Sequence, residues 1–106
     1  MAAAPGILEQ HRQVLLQARE VLDVLGEALY QAQGEELGAL LSEVDAVAAA
    51  AGGVRCQVVL EAKRRGVIGE AGHNTRGWVL EYAPSQRQHG AGQLAALVDK
   101  VTSRTT

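Results

Sequence analysis

Three histidines, one cysteine and ten basic side chains are the residues of this 106-residue chain on which chemistry could rest. His11, His73 and His89 lie far apart in sequence and form no local metal-ligand pattern. A single cysteine, Cys56, excludes an internal disulfide and a cysteine-rich zinc site. Its neighbours Val54, Val58 and Val59 describe a reduced, packed thiol rather than a nucleophile in an electropositive opening. No Ser-His-Asp arrangement can be built from local motifs. The glycines from Gly66 to Gly72 lack the Lys and Ser or Thr that a phosphate-binding loop places at a helix start. The expectation is a protein that is not an enzyme and uses no metal or cofactor.

The basic residues are the stronger candidates. Residues 1–45 hold two bases against eight acids, a net −6, whereas residues 46–106 hold eight bases against four acids, a net +4. A polyanion would therefore meet the second half. With three aromatics and no Phe, domains that stack bases on exposed rings are disfavoured. Duplex DNA is the partner expected, through Lys63, Arg64 and Arg65 on phosphates and Arg76, Arg87, Gln88 and Gln93 at base edges. A second explanation stays open: Lys63, Arg64 and Arg65 complement the C-terminal dipole of a helix, and the charged halves attract one another.

The elements that must carry these residues are helical. From Ile7 the apolar positions Leu8, Val14, Leu15, Val21, Leu22 and Leu29 trace one stripe, predicting a helix from Ile7 to Gln33 that Gly34 ends, with Pro5 suited to its first turn. His11 falls on this apolar side and is expected to be packed. Leu8, Leu15, Leu22 and Leu29 recur every seven residues; bundle core is one reading and a dimer seam the other. A second helix starts at Glu35 and Glu36, runs to Arg65 and ends on Gly66 in the left-handed conformation. Gly52 and Gly53 mark a flaw or bend, or a close approach to another helix. Gly66 to Gly72 is expected to be a loop with one buried contact, Val67 or Ile68. Asn74 or Thr75 then caps a short helix that Pro84 stops, with Trp78 as its core anchor. Leu94, Ala95, Leu97, Val98 and Val101 outline a last helix, whose tail frays from Thr102.

The dipeptide His73-Asn74 is shared with HNH nucleases, but nothing here supplies the metal-bearing unit such a nuclease needs. The run RRGVIGEAGHNTRGWVLEYA followed by AGQLAALVDKV resembles a segment of an actinobacterial helical domain of unknown function, from a mycobacterial repeat group that often precedes an HNH endonuclease module. The positions that carry the resemblance are Arg65, Gly66, Gly72, Thr75, Trp78, Ala91 and Leu94, over roughly the last two-thirds of the chain. The family's Ser-Pro cap is missing, Arg87 standing nearest to it, and so is the nuclease module. The resemblance implies an accessory helical domain, DNA-associated through mobile elements, with no catalytic residue carried over.

Together these readings predict an all-α protein of one domain, residues 1–106. A long antiparallel hairpin (7–65) is followed by a helix-turn-helix-like unit (74–101), in which Gln86, Arg87, Gln88, His89 and Gln93 open the second helix. The first function expected is DNA binding by the basic half. The alternative is a helical protein–protein interaction module, a homodimer through the leucine-rich hairpin, with no nucleic-acid binding. The longest apolar run, Ala46 to Ala51, is far short of a membrane span, and no secretory signal is visible, so a soluble cytoplasmic protein without a membrane partner is expected.

Overall fold

The computed structural model describes residues 6–87 and 90–105, the side chains of residues 104 and 105 excepted. Pro5, Gln88, His89 and Thr106 lie outside the described residues. The described chain is all helical: α1 (Ile7–Ala28), α2 (Gly34–Arg64), α3 (Val67–Glu70), α4 (Thr75–Tyr82) and α5 (Ala91–Thr105), with 3-10 turns at Leu29–Gln31 and Pro84–Gln86. Its contacts divide it into an N-terminal unit, Met1–Val44, and a C-terminal unit, Asp45–Thr106, the boundary falling inside α2.

The N-terminal unit holds α1 and the start of α2. Here α1 ends five residues before Gln33, and the chain tightens into the 3-10 turn before α2 begins. Glu36 explains the restart, since its carboxylate accepts the backbone N–H of Gln33 at 3.0 Å, half of a capping box. No residue of α1 is buried. The four heptad leucines, 41–72% exposed, are not buried within the N-terminal unit, and His11 is exposed rather than packed. Periodicity shows that a face is apolar; it does not show what covers it.

The C-terminal unit contains the core. Val59 and Ala62 of α2, Ile68 of α3, Val79 of α4, and Ala91 and Val98 of α5 are buried together, with Cys56, Leu60, Trp78 and Leu94 packed against them. α4 and α5 are its most closely packed pair of helices. The spacing explains the set: Ala91, Ala95 and Val98 recur at four and three residues and place one stripe of α5 inward. Trp78 is half-buried and leans on Tyr82, ring centroids 5.1 Å apart, so the deep anchor of α4 is its neighbour Val79, 1% exposed.

Three further expectations need correction. α2 passes Gly52 and Gly53 without a break, and a Cβ added at either would meet nothing within 4 Å, so neither glycine admits a close neighbour. The stretch after Gly66 is not wholly loop: it forms the single turn α3, which buries Ile68 and leaves Val67 exposed. α5 starts at Ala91, later than expected, and continues to Thr105 rather than ending at Thr102, and within its last turns the Thr102 and Ser103 hydroxyls donate to the carbonyls of Val98, Asp99 and Lys100. Other boundaries agree with the sequence reading. Gly66 is left-handed at φ 77° after α2, Asn74 caps α4 by accepting the Gly77 N–H at 2.7 Å, and α4 ends two residues before Pro84.

One finding qualifies the hydropathy reading. Counting only unbroken apolar residues missed that α2 is, by length and composition, long and apolar enough to cross a membrane, and none of its most apolar window is buried. A window average tolerates the acids that interrupt a run. Any 20-residue span within α2 nevertheless includes Asp45, which costs about 2.5–3.5 kcal/mol near a bilayer centre.

Candidate interaction surfaces

The basic side chains divide into engaged and free. Lys63, in the last turn of α2, reaches Asp99 of α5 with Nζ 3.4 Å from Oδ1. The same Asp99 oxygen accepts the Thr75 hydroxyl at 2.7 Å, and Thr75 is itself 2% exposed. Thr75, Asp99 and Lys63 thus form a polar link joining α4, α5 and α2 inside the C-terminal unit. Arg65 turns back on Glu61, Nε to Oε1 2.8 Å. His73 pairs with Glu81 across α4. Arg64, Arg76 and Arg87 are exposed and make no ion pair among the described residues.

The residues expected at base edges do not share one helix. Arg76 is the second residue of α4, Arg87 follows the 3-10 turn at Pro84–Gln86, and Gln93 is exposed in the first turn of α5. Gln88 lies outside the described residues. Eight residues separate Tyr82 from Ala91, longer than the three or four that join the helices of a DNA-reading helix-turn-helix. Among the described residues no group of three His, Cys, Asp or Glu side chains could hold a metal ion.

A different surface emerges in the N-terminal unit. Leu22, Leu25 and Leu29 face Leu37, Leu40, Leu41 and Val44 of α2 across an open cleft of about 310 Å³. Both walls are apolar. The cleft continues the heptad stripe of α1, whose outer part is more exposed still: Leu8 at 72% and Leu15 at 68%. Sequence reasoning found these leucines but assigned them first to a core. What it lacked was the number of residues left to cover them within the unit, since the start of α2 supplies only two or three turns.

No family model matches the chain, and neither the curated proteins nor the solved structures compared with it give a match.

Proposed function

We propose that the protein is a non-catalytic helical interaction module whose N-terminal unit binds a helix of another chain. The observation that carries this reading is the apolar stripe of α1, exposed from Ile7 to Val24 with Leu25 half-buried and without one buried residue. An isolated helix of this length is marginal in water, and helices in proteins draw most of their stability from packing an apolar face. Soluble monomers seldom leave such a stripe uncovered, and large exposed apolar patches mark interaction sites. Burying a Leu completely contributes roughly 1.5–3 kcal/mol. Four half-exposed leucines therefore supply about 3–6 kcal/mol on that scale, which reaches the lower end of the roughly 4–15 kcal/mol that association costs, and the apolar side chains of the bound helix add to it.

The test is a double substitution on the stripe, Leu15→Lys with Leu22→Lys, in the full chain. Loss of any assembly seen in sedimentation, with the Trp78 emission of the C-terminal unit unchanged, supports the reading. A wild-type chain whose α1 side chains are already protected from solvent as a monomer refutes it.

Arg64, Arg76 and Arg87 favour a second function, binding of duplex DNA by the C-terminal unit, which fits an accessory role beside mobile DNA. Their side chains are exposed and make no ion pair among the described residues, which leaves them open to phosphates, whereas Lys63 and Arg65 are already engaged. Replacing Arg76 and Arg87 with Gln is expected to weaken binding to labelled duplex without lowering the melting temperature; unchanged affinity removes this function.

A further inference from the structure

We infer that the occupant of the α1 face is a second copy of this chain, lying antiparallel so that the two α1 helices pack end for end; the inference rests on the reading of the N-terminal unit as a helix-binding surface. The arrangement around α1 carries it. Leu8, Leu15, Leu22 and Leu29 occupy one seam position of a heptad, and His11, Ala18 and Leu25 occupy the other. Beside the seam, one flank is apolar (Ile7, Val14, Val21) and the opposite flank carries Arg12 and Arg19. Parallel helices bring unlike flanks together, which sets each valine against an arginine of the second copy. Turning one helix end for end brings like flanks together and lets the valines bury one another.

The register follows from symmetry. An antiparallel seam sets each leucine of one seam position against the other position of the second copy, Leu15 against Ala18 and Leu8 against Leu25, which brings Val14 of one copy beside Val21 of the other on the apolar flank. On the other flank Arg12 and Arg19 do not meet as bare cations. Each holds an acid of its own helix, Glu9 at 3.3 Å and Asp23 at 3.7 Å.

Charge along the hairpin favours the same direction. Residues 7–17 hold one base and one acid, whereas residues 18–36 hold Arg19 against Glu20, Asp23, Glu27, Glu35 and Glu36. Parallel copies superpose the two acidic ends, and antiparallel copies keep them apart. The helix dipoles then also oppose one another favourably. Alanine at the seam position of residue 18, near the midpoint, allows close approach where the copies cross.

The experiment is cross-linking in the full chain with Cys56→Ala, carrying Val14→Cys or Val21→Cys, each alone and then mixed, under mild oxidation. The mixture is expected to give ~10-fold more interchain disulfide than either variant alone, since a disulfide needs Cα atoms within about 7 Å. Sedimentation of the unsubstituted chain should show a dimer. A dimer that links in neither the mixture nor the single variants overturns the antiparallel order. A monomer at the highest soluble concentration whose Val14→Cys thiol reacts freely overturns the second copy while leaving the helix-binding surface intact. A monomer whose thiol is protected sinks both.

Discussion

At the scale of single residues, Thr75 is the position where one hydroxyl does most for the C-terminal unit. Its side chain is buried and donates to Asp99, whose other contact is Lys63. Thr75→Val keeps the branched shape at the start of α4 and removes only the hydrogen bond. A bond to a charged acceptor contributes about 1.5–3 kcal/mol when enclosed, but the Asp99 side chain is about half exposed and water replaces part of the loss. The expected cost is near ~1 kcal/mol in urea unfolding. Lys63→Met should cost less, within about 0–1 kcal/mol, as exposed ion pairs do. Equal effects for the two would mean that the ion pair from α2 to α5 contributes as much as the hydroxyl bond from α4 to α5. The Asn74 cap is a separate contribution: Asn74→Ala is expected to lower stability by about 1 kcal/mol, and no change would show the cap bond to be replaced by water.

Between elements, two glycines with opposite roles make a matched pair. Gly66 is left-handed at φ 77°, where a Cβ is strained whatever space surrounds it. Gly66→Ala should therefore destabilise the turn from α2 to α3 by about 1–2 kcal/mol. Gly53 lies inside α2 with open space around it, so Gly53→Ala should stabilise by up to about 1 kcal/mol through helix propensity. Thermal unfolding of the two variants against the parent tests both signs; a stabilising Gly66→Ala would mean that α2 does not end in the left-handed cap. The same pair shows how much of the fold was legible. Gly66, Asn74 and Pro84 act through their own backbone or through atoms a few residues away, and the boundaries they set were readable from the sequence. Gly53, Leu15 and Thr75 depend on what other elements bring to them, and that was not. Thr75 looked like an alternative cap, yet Asp99, its partner, comes from 24 residues away. The basic candidates follow this division as well: Lys63 and Arg64 lie in the last turn of α2, which ends one residue before the expected Arg65, but only the packing of α5 shows that Lys63 is tied to Asp99.

For the whole molecule, charge and core are distributed so that the two units should answer differently to concentration and to salt. Residues 1–44 hold two bases against seven acids, and residues 45–106 hold eight bases against five. All the residues of the buried core, Val59 to Val98, belong to the second set. Trp78 packs against that core, so its fluorescence reports the C-terminal unit, whereas far-UV circular dichroism also sees α1. If α1 depends on a second copy, helicity is lost in a phase whose midpoint rises with protein concentration, each tenfold increase stabilising the assembly by about 1.4 kcal/mol. The Trp78 phase should not move. Salt then separates the two proposed functions by sign. Pairing of two acidic units is opposed by like charge, and screening should strengthen it as ionic strength rises past the point where the Debye length falls below about 10 Å. DNA binding by Arg64, Arg76 and Arg87 must weaken over the same range, because releasing condensed counterions gains less entropy when the solution is already salty. Sedimentation and duplex anisotropy across one salt series measure both. Dimer strengthening together with DNA weakening fits a molecule that joins copies with one unit and touches DNA with the other. A single transition, independent of concentration and seen equally by both probes, would mean that α1 draws its stability from its own chain, and the exposed stripe could no longer be assigned to a partner.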